Sequence, residues 1–418
     1  LMDEDFCFAG GQQWPYEVEQ QRRKERRPCL TINRLPQFIA QVVGDARQNK
    51  PAIKVHPVDD NADPETAETL EGLVRHIEAN SQAASAYLGA FEHAVTGGKG
   101  AWRITTKRDH KDPFVQDAWI ERIRSPFAVF YDPDAKRYDK SDMRFCFVVE
   151  WITKAAFEER YPKCAPDDWE GEVKRNNSHG WTEGEKVRIA EYWRKKPVKK
   201  HIALMQDGRR IEWDQIEPEE YDFVADVAET ESYEVERYLM SGHKVIEGPS
   251  IFPGEYIPIV PVFGPEEFIG NRTRYRSLIR YAKDAQRQYN YWQTTVTEKI
   301  ALAPKAPFIG TLDQFKGLER FWDNANTENR AYIPYNPDPK APGPPLRQAP
   351  AAVNTAELQQ AAQAIDDLKA TTGIHDASLG AQGNETSGRA ILARQREGDV
   401  ATFAWIDNLA RSIEHTGK

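Results

Sequence analysis

Cysteine is scarce: four residues in 418, Cys7, Cys29, Cys146 and Cys164, far apart and in no CxxC or ligand spacing. That excludes a disulfide scaffold and a cysteine-based metal knuckle, and reduced structural thiols in a cytosolic setting are expected. Long apolar runs are missing too, so no membrane span and no membrane partner are expected. The opening Leu1–Glu4 is acidic with no apolar core behind it, which argues against a signal peptide. A basic surplus is also absent: 56 Lys and Arg stand against 65 Asp and Glu, a net charge of -9. A protein that grips duplex DNA through many phosphate contacts needs the opposite sign. An acidic wall past which DNA slides does not.

Catalytic constellations are lacking as well. Gly97-Gly-Lys-Gly100 imitates a phosphate-binding loop, but that loop needs a strand before it, a helix after it and Ser or Thr behind the lysine. Here a helical pattern comes first and the alternating strand Ala101–Thr105 follows, so the run reads as a helix cap and turn. His375, Asp376 and Ser378 have the residue types of a triad, yet near-adjacent residues cannot converge as triad members do. The turn Val58–Asp63 carries three carboxylates directly before Pro64-Glu65, where acids suit a helix start. The turn Tyr131–Asp142 carries Asp132, Asp134, Asp139 and Asp142 without the central Gly and terminal Glu of a calcium loop. No catalytic residue, metal or cofactor is therefore expected, and the chain does not read as an enzyme.

What is present is a chain long enough for two or three domains with real cores. Hydrophobic residues at 40% and charged residues at 29% are a globular balance. Helices are expected at Glu17–Arg27, Leu35–Asn49, Glu65–Ala94 and Lys154–Tyr161. The third should bury Leu70, Leu73, Val74, Ile77, Ala84, Tyr87, Leu88 and Phe91. Strands are expected at Ala52–Pro57, Ala118–Phe130, Met143–Trp151, Val187–Trp193, Ser232–Met240, Lys244–Glu247 and Glu255–Phe263. The basic run Arg22–Arg27 is either a solvated helix face or a surface for an acidic partner. A second basic strip (Arg194–Lys196, Lys199, Lys200, Arg209, Arg210) precedes the acid-rich Glu212–Glu236. These blocks read as solvated loops, or as contacts with each other or across subunits.

The chain is organised around Arg272–Gly388. Tyr275, Leu278, Ala282, Ala285, Tyr289, Trp292 and Val296 alternate in three-four steps, the seam of a helix from Thr273 to Ala303 about 45 Å long. Pro304 ends it. The proline-rich stretch to Pro350 admits only short strands, such as Ala306–Ile309 and Arg330–Pro334. Its aromatics Phe308, Phe315, Phe321, Trp322, Tyr332 and Tyr335 make it a small stiff module rather than a linker. Asn354 with Glu357 forms a capping box for a returning helix with Leu358, Ala361, Ala362, Ile365 and Leu368 on its apolar face, closed by Gly373. A polar loop, Gly380–Gly388, leads to a last amphipathic helix from about Arg389. Such a hairpin is either an intramolecular coiled-coil arm or one of many copies packed around a ring.

Helix, folded tip, returning helix, glycine-rich loop and last helix follow the order of stem, clip, stem, tunnel loop and wing helix in tailed-bacteriophage portal proteins. Local runs resemble the podovirus-type branch: Gly98-Lys-Gly-Ala-Trp-Arg103, Tyr131-Asp-Pro-Asp134 with Asp139-Lys-Ser-Asp142, Ile257-Pro-Ile-Val-Pro-Val-Phe-Gly264, and Asp407-Asn-Leu-Ala410. The likeness runs from about Trp14 to Leu409, and the order of the runs carries it. The resemblance implies an α+β portal fold: a wing over 1–271, a stem helix over 272–303, a clip over 304–350, the returning stem helix over 351–373, a tunnel loop over 374–388 and a wing or crown-proximal helix over 389–418. Stem packing falls to Tyr275, Leu278, Tyr289, Trp292, Val296, Leu358, Ile365 and Leu368. Partner docking falls to Phe308, Phe315, Phe321, Trp322 and Tyr332, and the DNA-facing positions are Gln382, Asn384, Glu385 and Thr386. The implied function is a homo-oligomeric, dodecameric ring at one capsid vertex that passes double-stranded DNA. It would dock the terminase large subunit, tail or adaptor proteins, and capsid and scaffolding proteins, in the host cytoplasm during assembly and then in the virion. A nucleic-acid-processing enzyme of the packaging apparatus and a generic coiled-coil adaptor are the alternatives.

Overall fold

The computed structural model describes residues 1–49, 51–57, 63–108, 114, 116–164, 180–242, 244–270, 272–302, 307–341, 343–348, 355–374 and 388–418. Mixed α and β elements divide between two compact units. One holds Leu1–Gln41 and Ser277–Thr402, the other Val42–Arg276 and Phe403–Lys418. The chain opens with α1 (Met2–Ala9), α2 (Tyr16–Lys24) and α3 (Leu35–Gln48). Residues 52–57, expected as a strand, belong to no strand.

In the second unit, α4 (Pro64–Ser81) starts on Asp63, whose carboxylate accepts the amides of Glu65 and Thr66. Asp63 thus serves a helix start, as the sequence suggested, while Asp59 and Asp60 lie outside the described residues. The single helix expected to Ala94 is in fact two. Gln82 takes the left-handed conformation (φ 52°) and α5 (Ala83–Gly97) starts anew. This break rotates the buried face: Ala83, Ala86, Tyr87 and Phe91 are buried, whereas Leu70 and Leu73 are exposed. Gly98 (φ 91°) closes α5 and leads directly into β1 (Lys99–Arg108), the helix-then-strand order that rules out a phosphate loop.

β1 pairs with β2 (Gln116–Arg122). The segment read as one strand to Phe130 breaks at Ser125-Pro126, and β3 (Val129–Tyr131) joins a different sheet. There follow β4 (Phe145–Thr153), α6 (Lys154–Arg160), β5 (Thr182–Glu183), β6 (Lys186–Met205), β7 (Arg210–Glu212), β8 (Val224–Ser241), β9 (Lys244–Phe252) and β10 (Ile259–Phe263). The larger sheet runs β3-β4-β6-β8-β9, with β5 and β7 also on β6; the smaller is β10-β1-β2. β11 (Glu266–Ile269) and β12 (Arg272–Tyr275) form a separate hairpin. The opposite charge blocks face each other on β6 and β8, with Lys199–Glu229 at 2.5 Å and Arg194–Glu236 at 2.7 Å. Lys200 adds Glu212 at 2.7 Å.

Back in the first unit, α7 (Leu278–Leu302) is followed by β13 (Phe308–Ile309), α8 (Leu312–Phe315), α9 (Glu319–Asp323), β14 (Leu346–Arg347) and α10 (Thr355–Thr372); α11 (Gly388–Gly417) closes the chain. α7 is shorter than expected, about 37 Å at ~1.5 Å per residue. Ser277 sets its start, because Ser277 Oγ accepts the Arg280 amide. Tyr275 therefore lies on a strand and is not a seam residue of this helix.

Candidate functional site

Three arrangements stand out, and each can be built from its residues. The first is the helical hairpin. Lys299, in the last turn of α7, pairs with Glu357, in the first turn of α10, so the two helices run antiparallel. Leu278, Tyr289, Val296 and Leu368 are buried, Trp292 and Ile365 half-buried, and Leu358 is 52% exposed. Glu357 is thus engaged with the other helix; Asn354, its partner in the expected capping box, lies outside the described residues.

Sequence reasoning missed the other face of α7. Gln286, Asn290 and Thr294 are fully buried there although polar. Each accepts a backbone amide from an extended segment: Arg34 to Gln286 (3.1 Å), Ile32 to Asn290 (3.0 Å) and Leu30 to Thr294 (3.2 Å). Four helical residues rise about 6 Å, and two extended residues span about 6.6 Å. Side chains at i, i+4 and i+8 can therefore follow every second residue of a strand. The spacing Gln286-Asn290-Thr294 was the available signal. Glu298 extends the series by binding Arg22 (3.1 Å) and Arg27 (2.8 Å). Arg22 of the basic run is consequently buried against an acid of its own chain. The hydrogen bond from Arg27, against the cost of burial and aided by the charges of Arg27 and Arg22, holds Glu298 below its ordinary value. Further along, Asp5 is buried against Arg280 (2.6 Å) and Ser277 (2.7 Å). The Lys283 ammonium lies 2.7 Å from Asp5 as an ion pair without hydrogen-bond alignment. Residues 1–41 thus fold with the hairpin, a grouping that the expected wing over 1–271 did not contain.

The second arrangement is the tip. β13 pairs with β14, and the strand expected at 330–334 does not form. Trp322 is its centre: Phe308 and Phe315 meet the indole edge-on at 5.2 and 5.0 Å, and its Nε1 donates to Pro334 O at 3.0 Å. Gln314, 2% exposed, donates to Gly343 O and accepts the Thr311 amide. Thr311 in turn donates to Asp338 at 2.6 Å. Phe321 lies under Arg330 at 4.8 Å. Tyr332, Leu312, Leu346 and Ile309 stay largely exposed. Phe308, Phe315 and Trp322 thus build the module, whereas Tyr332 is presented to solvent.

The third arrangement unites the four runs on which the resemblance rested. β1 pairs Lys99 with Phe263, and the Gly264 amide donates to Gly98 O at 3.0 Å. Tyr138, from the acidic turn, donates to Phe263 O at 2.7 Å, and Asn408 donates to the same carbonyl at 3.3 Å. Tyr275 stacks on the Phe263 ring at 3.9 Å, which is where this expected stem residue belongs. Glycine is required in two of these runs: a Cβ on Gly100 would lie 1.9 Å from Ala90 O, and one on Gly264 1.9 Å from Arg276 O. Asn408, Ser412 and Thr416 repeat the i, i+4 ladder. Ser412 donates to Pro261 O at 2.7 Å, and Thr416 accepts from Trp102 Nε1 at 2.9 Å.

The acidic turn is spent on its own backbone. Asp132 accepts the amides of Asp134 and Arg144, Asp139 that of Ser141, and Asp142 those of Lys136 and Arg137. Burial alone would raise Asp142, but the two amides outweigh it and hold the carboxyl below its ordinary value. Among the described residues no group of three or more His, Cys, Asp or Glu is placed to hold a metal, and no helix is long and apolar enough to cross a membrane. Gln382, Asn384, Glu385 and Thr386, with His375, Asp376 and Ser378, lie outside the described residues.

A family model for phage P22-like portal proteins matches residues 1–418. The portal protein of Acyrthosiphon pisum secondary endosymbiont phage 1 is 28% identical over 441 aligned positions, covering 99% of this chain and 61% of that relative. The chain thus spans about three-fifths of the relative's length. The chain belongs to the P22-like family of phage portal proteins.

Proposed function

We propose that copies of this chain assemble into a dodecameric ring with a central channel for double-stranded DNA at one capsid vertex, the head-to-tail connector of the virion. The observation that carries this reading is an antiparallel helical hairpin ending in a separately folded tip, in a chain of the portal family. In a ring, the hairpins pack lengthwise around the axis with Trp292, half-buried beside Tyr291, available to a neighbour. The tip is the docking platform for the terminase large subunit and for tail or adaptor proteins, while the wing meets capsid and scaffolding proteins. The net charge of -9 favours passage of DNA over gripping. ATP-driven chemistry belongs to the docked motor. Negative-stain images of the purified protein are expected to show rings with a central hole; monomers at every concentration would refute the reading.

A further inference from the structure

Two features of the second unit lack partners and match each other. One is a knob. At the turn of the β11–β12 hairpin, Phe268 is 72% and Ile269 48% exposed, with Arg272 and Arg274 exposed beside them and in no ion pair among the described residues. The other is a hole. A cavity of about 310 Å³ opens among Ile53, Val74, Ile104, Ile120, Phe252 and His415. Its lining is mainly apolar, with Glu255, Tyr256, His415, Lys418 and three threonines as the polar members. His415 is 4% exposed, and its Nδ1 has no hydrogen-bond partner. Burial holds this imidazole below its ordinary value, leaving a neutral ring with one accepting nitrogen.

A dry aliphatic cavity of about 150 Å³ takes up a benzene ring. This one has room for a phenyl group with a branched aliphatic side chain beside it. Of the two charges in the cavity wall, Lys418 pairs with Glu414 at 2.8 Å, whereas Glu255 is exposed and makes no ion pair among the described residues, so the wall offers an uncompensated negative charge where the knob brings positive ones. The two features share no residue. In a homo-oligomer knobs and holes are equal in number, and a contact between unlike patches closes into a ring when the rotation allows.

We propose that Phe268 and Ile269 of one copy enter this cavity in the next copy, with Arg272 and Arg274 brought to Glu255. The proposal rests on the ring reading and adds the contact that joins neighbours. It is tested by pairing Ile269→Cys with Thr106→Cys, an exposed position in the cavity wall. Under mild oxidation, rings of the double variant should give a ladder of covalent dimers and higher oligomers on a non-reducing gel, and neither single variant should. Phe268→Asp should raise the half-assembly concentration about tenfold or more while leaving the circular dichroism spectrum unchanged. Rings that form normally without a ladder overturn the contact alone. Wild-type protein that never assembles overturns the ring and the contact together.

Discussion

Glu298 shows how one carboxylate ties a distant segment to a helix. Arg22 and Glu298 side chains are 6% and 13% exposed, so their pairing is poorly screened. Glu298→Gln is expected to cost about 1.5–3 kcal/mol, the range for a hydrogen bond to a charged group. Because the folded-state pKa lies below the ordinary 4.5, the contribution is complete above that value and fades as pH falls through the lower folded-state pKa. The difference in Tm between wild type and Glu298→Gln should therefore be largest above about pH 4.5 and shrink in more acidic buffer. An equal difference at every pH would show that the charge is not what matters. Gly100 and Gly264 make the same point for the backbone: their conspicuous runs owe the glycine to a carbonyl that passes where a Cβ would sit.

At the scale of elements, the polar ladder on α7 takes the place of a strand partner for residues 30–34. Asn290 is the rung with most to lose. It accepts the Ile32 amide and donates to Gln13 Oε1 at 2.6 Å, and Gln286 donates to it at 3.0 Å. Asn290→Leu keeps the volume but strands these groups, at about 1–3 kcal/mol for each buried group left unpaired. Faster hydrogen exchange across 28–34 is the expected signature; unchanged protection there would mean the ladder contributes nothing. The tip is held differently, by one indole between two rings. Trp322→Ala should speed exchange across 308–348 and abolish terminase or adaptor binding while rings persist. Deleting Leu318–Asn329 is a poorer probe, since it removes that same indole together with α9. Normal partner binding by Trp322→Ala would move the docking surface away from the tip.

For the whole molecule, the resemblance to portal proteins implies that the segment 374–388 faces the proposed channel. We propose that Gln382, Asn384 and Thr386, which lie outside the described residues, hydrogen-bond phosphates in passing and that Glu385 opposes a tight grip. Replacing Gln382, Asn384 and Glu385 with alanine should leave rings and terminase binding intact and change the amount of DNA packaged or retained. Packaging and retention equal to wild type would reduce the segment to a connector.

Periodicity and punctuation made much legible from the sequence alone. Apolar steps marked α7 and α10, prolines bounded the tip, and glycine after a helical pattern ruled out a phosphate loop at residues 97–100. These signals are local, so one segment suffices to read them. What failed was in part a single residue's conformation or cap and in part contact between distant segments. A left-handed Gln82 split one expected helix, and Ser277 moved the start of α7 past Tyr275. Gln286, Asn290 and Thr294, on which the sequence reading placed no expectation, proved to be buried rungs because extended chain lay alongside to receive them. Only the tertiary structure brought Gly98, Tyr138, Phe263 and Asn408 to one point, since hydrogen bonds between residues 125 to 166 positions apart leave no period in the chain.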